Sequence, residues 1–184
     1  MPEPTVLETE RLTLRPFSLV DVDDVLAYAD DPEWSRYTPF VPSPYLRRHA
    51  ELFVASQILV DWDENPSFAI VHAGRVVGGT SLRVMAPGIT GLGYGVARRL
   101  WGEGLATEAA AAVIDYGFET LSLAKVFATT EVGNVASVRV MEKLGMTREA
   151  LLRSARLARD GTRADELRYA VLAGDWVKRR DGSA

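Results

Sequence analysis

A two-glycine loop between a strand-like run and an alanine-rich helix is the feature that most restricts the fold of this chain. The segment reads GYGVARRLWGEGLATEAAAAVIDYGF, residues 93–118. Backbone N–H groups in the first turn of a helix lack intrahelical partners and carry partial positive charge, so they suit a phosphate. Gly102 and Gly104 have no Cβ, which lets a ligand lie directly on this backbone. The competing interpretation is a strand-to-helix turn whose glycines serve only backbone geometry.

The remaining pattern surrounds this unit with antiparallel strands and further helices. Alternating apolar residues predict a strand over 6–17, and Ser18 with Asp21 predicts a capping box that opens a helix to about Ala29. Further helices are predicted at 45–62, 105–120 and 134–146, and strands at 67–73, 75–85, 91–97, 125–131, about 147–158 and 163–172. This order predicts one α/β (α+β mixed) domain over residues 1–184, with a single parallel crossover.

Composition excludes several classes of function. The chain has 184 residues, 47% of them hydrophobic and 25% charged, which is typical of one globular domain. Its formal net charge of -4 argues against a nucleic-acid surface. Without cysteine there is no disulfide, thiolate metal site or cysteine nucleophile, and His49 and His72 lack metal-ligand spacing, so we expect no metal. We find no secretory signal or apolar run of about 20 residues, and expect a cytoplasmic protein without a membrane partner.

Three kinds of phosphate loop compete for the glycine segment. A P-loop requires a lysine after its last glycine, and none follows Gly104. A dinucleotide fold fits the strand, loop and helix, and Glu131 stands where a ribose-binding acid would lie. However, Thr107 replaces its third glycine, and antiparallel strands precede the unit. The third kind is the segment Arg99–Ala106.

That segment resembles the [QR]-x-x-G-x-[GA] pyrophosphate loop of the GNAT acetyltransferases, which hold acetyl-coenzyme A. The resemblance covers nearly the whole chain. Three further segments resemble the branch that contains the ribosomal-protein N-terminal (alanine/serine) acetyltransferases. The opening of that branch is similar to TERLTLRPFSLVDVDD, its N-x-x-S-x-x-x-x-E-K-L-G-[FM] helix to NVASVRVMEKLGM, and its closing strand to GTRADELRYAVLAGDW. The resemblance implies a central, largely antiparallel mixed sheet of six to seven strands. The fourth and fifth strands would splay apart, and about four helices would flank the sheet.

The resemblance also implies a coenzyme site. Val96 would offer backbone groups to the pantetheine arm, Asn134 would contact the same arm, and Lys143 would meet the 3′-phosphate. The pyrophosphate loop would comprise Arg99, Leu100, Trp101, Gly102, Glu103, Gly104, Leu105, Ala106 and Thr107. The alternatives are a core strand residue for Val96, a plain helix N-cap for Asn134 and a solvated lysine for Lys143.

The resemblance identifies the catalytic groups less completely than the coenzyme site. Ser137 matches a serine proposed to protonate the departing thiolate, whereas other family members carry a tyrosine where this chain has Met141. A carboxylate, or a water held by one, can serve as the base. Many relatives have a glutamate where Gly91 stands, which leaves Asp165, matching the branch's recurrent acid, and its neighbour Glu166. Adjacent strand residues face opposite ways, so at most one faces the cleft, and a hairpin cap or arginine partner is the alternative role.

The acceptor site would lie under the early helices. Trp34, Tyr37 and Phe40 cluster in a proline-rich stretch that suits an apolar wall or mobile lid, or a loop packing on its own aromatics. We expect direct acetyl transfer from acetyl-coenzyme A to a primary amine, with a protein N-terminus as the specific expectation, by a monomer or homodimer. The alternatives are a small-molecule acceptor such as an aminoglycoside or polyamine, and a non-catalytic acyl-coenzyme A sensor. Residues 33–60 hold only two carboxylates, which favours a peptide or neutral amine.

Overall fold

Eight strands form one mixed sheet in a computed structural model that describes residues 4–180 and 182. The strands are β1 (Leu7–Glu8), β2 (Thr13–Arg15), β3 (Ser67–His72), β4 (Arg75–Ala86), β5 (Ile89–Val96), β6 (Lys125–Glu131), β7 (Thr147–Leu157) and β8 (Arg163–Leu172). Their order across the sheet is β1-β2-β3-β4-β5-β6-β8-β7. The pair β5–β6 is parallel and the other neighbouring pairs are antiparallel.

Five α-helices cover the two faces of this sheet or follow its last strand. They are α1 (Val22–Ala29), α2 (Arg47–Ile58), α3 (Leu105–Glu119), α4 (Val135–Lys143) and α5 (Ala173–Arg180). Short 3₁₀ turns at Leu19–Asp21 and Arg98–Leu100 lead into α1 and towards α3. The largely antiparallel mixed α/β fold is therefore confirmed, with one or two more strands and one more helix than expected.

The predicted strand over 6–17 is wrong as a single element. It folds as β1 and β2, which pair antiparallel around a turn at Thr9–Leu12. The Thr9 N–H donates to the Leu12 carbonyl and the Thr9 hydroxyl accepts from the Leu12 N–H, and these local bonds close the turn between the two strands. The predicted helix over 45–62 is also shorter, because only Arg47–Ile58 is helical.

The capping-box acid Asp21 is buried but fully paired. Its carboxylate accepts the Ser18 N–H at 2.8 Å and the two Arg15 Nη groups at 2.7 and 2.8 Å. A bidentate guanidinium–carboxylate pair offsets the desolvation of a buried charge. This network ties the end of β2 to the start of α1.

Two apolar layers hold the helices on the sheet. One joins α3 and α4 to the face that carries Leu14, Leu82 and Val126, and the other joins α1 and α2 to the face that carries Ala69 and Val76. We call these the α3–α4 face and the α1–α2 face. Each fully buried leucine or valine contributes about 1.5–3 kcal/mol relative to exposure, so both helix pairs are firmly positioned.

The parallel pair of strands separates after three residues. β5 and β6 are in register at Ile89 with Lys125, Thr90 with Val126, and Gly91 with Phe127. Beyond that row β5 stays paired with β4 as far as Val96, and β6 stays paired with β8. A gap therefore opens inside the sheet between residues 92–96 and 128–131.

Glycine at position 78 is required where β4 meets the end of β5. A Cβ built there would lie 2.0 Å from the Gly95 carbonyl oxygen, which is backbone and has no freedom to rotate away. We expect Gly78→Ala to lower the free energy of unfolding by about 3 kcal/mol, because the β4–β5 pairing must distort. Urea denaturation followed by circular dichroism measures this.

Gly174→Ala is the matched control, because a Cβ at this position in α5 meets nothing within 4 Å. Alanine has the higher helix propensity, so this variant should be unchanged or slightly more stable. Equal stability of the two variants would contradict the close β4–β5 contact.

Candidate active site

The start of α3 presents free backbone donors. Gly102 and Gly104 both have a φ of +85°, and Gly104 is the residue that precedes the helix. The Glu108 N–H makes the first helical bond, to the Gly104 carbonyl at 3.0 Å. Within the described chain, the N–H groups of residues 105–107 have no acceptor and no side-chain cap. This end of α3 is therefore open to an anion.

Arg11 fixes the loop in front of this helix. Its Nη1 donates to the Glu103 carbonyl at 3.0 Å, and its Nη2 lies 2.6 Å from Glu108. The Thr9 hydroxyl also donates to Glu108, at 2.6 Å. Burial alone raises the pKa of Glu108, but the hydrogen bonds from Thr9 and Arg11 outweigh it and hold this pKa below its ordinary value. Because Arg11 compensates this carboxylate, the positive end of α3 keeps its attraction for an anion.

The other predicted coenzyme residues are placed as follows. The Trp101 indole, 46% exposed, donates to the Val96 carbonyl at 2.9 Å, so that oxygen is already partnered. Leu100 packs partly against the core. The side chains of Arg99 and Lys143 are exposed and make no hydrogen bond within residues 4–180. Their roles stay predictions.

A tyrosine that sequence reasoning missed lies beside Ser137. The Tyr94 hydroxyl is 2.9 Å from Ser137 Oγ and 3.1 Å from the Ser137 carbonyl oxygen. Asn134 is the N-cap of α4, and its Oδ1 accepts the Ser137 N–H at 3.2 Å. Burial raises the pKa of Tyr94 to about 12, although its bond with Ser137 opposes that shift. Met141, at the position of the tyrosine in other relatives, is wholly buried in the core.

Alternation along β5 places different chemistry on its two faces. Leu92, Tyr94 and Val96 share the α3–α4 face with Ser137. The intervening residues 91, 93 and 95 are glycines, and a Cβ on Gly95 would lie 3.5 Å from the Trp34 ring. The α1–α2 face of β5 is therefore bare backbone roofed by Trp34. The signal for Tyr94 was its place as the polar side chain among apolar residues on one face of this strand.

The predicted base candidates already have partners. Asp165 Oδ1 accepts the Ser154 N–H at 2.9 Å, where β7 bulges and Ser154 has a φ of +51°. Glu166 is paired with Arg156 at 2.8 Å. Glu131, directly opposite Glu166 across β6 and β8, makes no ion pair or side-chain hydrogen bond within residues 4–180.

These three acids divide between the faces. Phe127 lies over the bare side of Gly91 and therefore on the α1–α2 face. Glu131, four residues further along β6, has its side chain on the same face, and so does its cross-strand neighbour Glu166. Asp165 has the opposite parity and belongs to the α3–α4 face. The catalytic role expected for Asp165 stays a prediction.

A lid segment, residues 31–46, closes the α1–α2 side. The Tyr37 hydroxyl donates to the Gly133 carbonyl at 2.9 Å, whereas Phe40 is 88% exposed. From the β7–β8 turn, Arg159 donates to the carbonyl oxygens of residues 35, 38 and 41 at 2.8–3.2 Å. The structure thus brings Trp34 and Tyr37 to the gap and leaves Phe40 in solvent.

The helices in the described residues are all too short or too polar to span a bilayer. Across the same residues, no three His, Cys, Asp or Glu side chains are grouped for metal binding.

Comparison with known proteins identifies the family. Residues 11–147 match the family described as Acetyltransferase (GNAT) domain, which is more than half of the chain. The chain belongs to the GNAT acetyltransferases. Among relatives, it is similar to the uncharacterized N-acetyltransferase p20 of Bacillus licheniformis, with 31% identity over 177 residues, 93% of this chain and 98% of p20.

Solved structures share the fold. A GNAT-family acetyltransferase from Bacillus anthracis superposes with a TM-score of 0.83 at 26% identity, covering 92% of this chain and 99% of that one. RimL, a ribosomal L7/L12 alpha-N-protein acetyltransferase solved in complex with coenzyme A, superposes with a TM-score of 0.83 at 17% identity, covering 91% and 98%. At that identity the likeness to RimL shows the fold alone.

Arg159 gives the lid segment its shape, because one guanidinium holds carbonyl groups at both ends of the 35–41 stretch. We expect Arg159→Ala to speed amide hydrogen exchange in residues 31–46 by about tenfold or more, since hydrogen bonds to a charged donor are lost. Exchange mass spectrometry measures this. Arg163→Ala, an exposed arginine at the start of β8, is the control and should leave the lid segment unchanged. Equal protection in both variants would show that Arg159 does not hold the lid.

Proposed function

We propose that this chain is an acetyl-coenzyme A-dependent N-acetyltransferase that acts by direct transfer on a primary amine, with a protein or peptide N-terminus as the acceptor. The observation that carries the proposal is the gap between β5 and β6, which leads to the open end of α3. The pantetheine arm would pair with the free edge of β5 at residues 92–96, like a partial extra strand. The pyrophosphate would lie on the N–H groups around Gly102 and Gly104.

The leaving sulfur would meet Ser137. In the transfer, the amine nitrogen bonds to the acetyl carbonyl carbon, and the carbon–sulfur bond breaks with its electron pair going to sulfur. When the Tyr94 hydroxyl donates to Ser137 Oγ rather than to the Ser137 carbonyl, the Ser137 proton is free to point at that sulfur, and the chain of bonds strengthens it as a donor. Tyr94 is thus a positioning residue, and Asn134 holds the backbone of Ser137 from the other side.

The amine would approach from the α1–α2 face. There the bare strand at Gly93 gives access to the gap, and Trp34 roofs it. The amine proton would pass to a carboxylate or to a water held by one. Glu131 is the candidate on this face, because its carboxylate has no ion-pair partner within the described residues. Asp165, the candidate by family resemblance, belongs to the opposite face and would act only through a water that reaches the gap.

Charge at this face favours a peptide over a polycation. Arg83 and Arg168 both lie on the α1–α2 face beside the gap and form no salt bridge within residues 4–180. Such groups repel aminoglycosides and polyamines. We place the enzyme in the cytoplasm, acting without a metal.

Calorimetry with acetyl-coenzyme A tests the cofactor. We expect Gly104→Val to weaken binding by at least about 100-fold, because its side chain enters the space between the loop and Arg11, where a Cβ already lies 3.6 Å from Nη2. Gly161→Val is the matched control: its φ of +83° imposes the same backbone strain, but at the β7–β8 turn with open space around it.

Equal loss in both variants would contradict the loop assignment, and no binding by the wild type would overturn the proposed function. A thiol-release assay over a panel of peptides and small amines completes the test. Tight binding with no turnover on any amine would instead support the acyl-coenzyme A sensor.

Removal of the Tyr94 hydroxyl tests the positioning role. We expect Tyr94→Phe and Ser137→Ala each to lower kcat about 10- to 100-fold with unchanged acetyl-coenzyme A affinity. The double variant should be no slower than the slower single variant, because the two groups act as a unit. Tyr116→Phe is the control, since the buried Tyr116 hydroxyl has no hydrogen-bond partner in the described residues. Additive losses in the double variant would contradict the pair.

A further inference from the structure

Among the described residues, Arg168 is a cation without a hydrogen-bond or ion-pair partner, on the α1–α2 face of the sheet. It lies on β8 opposite Thr129, and so on the α1–α2 face. Its Nε is buried and makes no hydrogen bond, and the guanidinium forms no salt bridge within residues 4–180. The nearby Glu166 is not available to it in this arrangement, because that carboxylate is paired with Arg156.

Phe127 holds this guanidinium at the mouth of the gap. The Arg168 Cζ lies 4.6 Å from the centroid of the Phe127 ring. The ring in turn covers Gly91, where a Cβ would lie 3.4 Å from the Phe127 Cζ. Gly91 and Phe127 form the last paired row of β5 and β6, so Arg168 is stacked where the gap begins.

This arrangement suits a carboxylate. Stacking on an aromatic ring occupies one face of a guanidinium and leaves its N–H edges free, and those edges match the two oxygens of a carboxylate. Leaving a buried donor without a partner costs free energy, so a ligand oxygen that reaches it is favoured. Glu131 lies on the same face, two residues along β6 from the Thr129 that pairs with Arg168, and its negative charge would attract an amine.

Resting on the proposed function, we propose that Arg168 binds a carboxylate of the acceptor, which is therefore a primary amine that also carries a carboxylate. Two sources share this chemistry: a free amino acid, and a peptide whose N-terminal residue is acidic. In either case the acceptor nitrogen gains the acetyl group, its proton passes to a carboxylate or to solvent, and the coenzyme leaves as the thiol. Arg168 takes no part in these bond changes and selects the acceptor.

Matched pairs of acceptors distinguish the two sources. Thiol release from acetyl-coenzyme A is followed with glycine against glycinamide, and with a tripeptide amide that begins with glutamate against one that begins with glutamine. We expect kcat/KM to favour the carboxylate member by about tenfold or more in one of the pairs. The pair that shows the preference identifies the source.

Arg168→Gln assigns the preference to this residue. We expect the variant to raise KM for the carboxylate member about 10- to 100-fold and to leave the amide member unchanged, and Arg168→Lys to fall between the two. Arg148→Gln is the matched control, because it removes an exposed arginine from the neighbouring strand, on the opposite face. Thermal unfolding and acetyl-coenzyme A affinity establish that each variant is folded.

Equal kcat/KM for the carboxylate and amide members of both acceptor pairs in the wild type overturns the proposal. An equal loss for both members in folded Arg168→Gln also overturns it, since the arginine would then be structural. Where Arg168→Gln does not fold, Arg168→Lys and the wild-type preference decide. In all of these cases transfer to some amine leaves the proposed N-acetyltransferase activity intact, transfer to free glycine alone replaces only its peptide acceptor, and no transfer to any amine overturns both.

Discussion

The separation of β5 from β6 is the constraint on which the site depends. A parallel pair in register over only three residues leaves an unpaired strand edge inside the sheet, where backbone N–H and C=O groups need partners. The edge survives because β5 and β6 are each held on their other side, by β4 and β8. Burial of the α3 face then places the open end of that helix beside the gap. A bound coenzyme that spans both would satisfy groups that the chain itself leaves free.

Because a strand alternates its side chains, the same gap has two chemically different sides. On one side Tyr94 and Ser137 supply hydroxyl groups close to the leaving group's expected position. On the other, glycines expose the backbone, and Trp34, Glu131 and Arg168 surround it. With the coenzyme and the amine placed as proposed, the two would approach from opposite faces of the sheet and would not compete for one pocket. This division is a consequence of period-two geometry, and a helix could not provide it.

The parts of the fold with strong local signals could be predicted from the sequence. The start of α3 directly after the two glycines, the N-cap at Asn134 and the strand over 125–131 all follow from residue type and spacing. The strand predicted over 6–17 was interrupted because Thr9 satisfies the backbone of its own turn, which alternation does not reveal. Local rules therefore predict elements well and their interruptions poorly.

The site residues that sequence reasoning missed are defined by long-range contacts. Tyr94 meets a residue 43 positions later, and Arg159 meets a carbonyl 124 positions earlier. Neither contact leaves a pattern in the residues around it. The carboxylates show the same difficulty, because the partner of Asp165 is a backbone group in a bulge of β7. A single sequence identifies such candidate acids, but it does not show which of them already accept hydrogen bonds or form ion pairs within the chain.

The β7–β8 hairpin is separate along the chain from the proposed coenzyme loop. The family match ends at residue 147, where β7 begins, so the proposed coenzyme loop and both helices of the α3–α4 face lie before the hairpin. The hairpin itself supplies Arg159 to the lid segment and Arg168 to the acceptor side. If Arg168 selects the acceptor as proposed, substitutions confined to this one hairpin would change which amine is used. The proposed coenzyme loop, Tyr94 and Ser137 would stay unchanged.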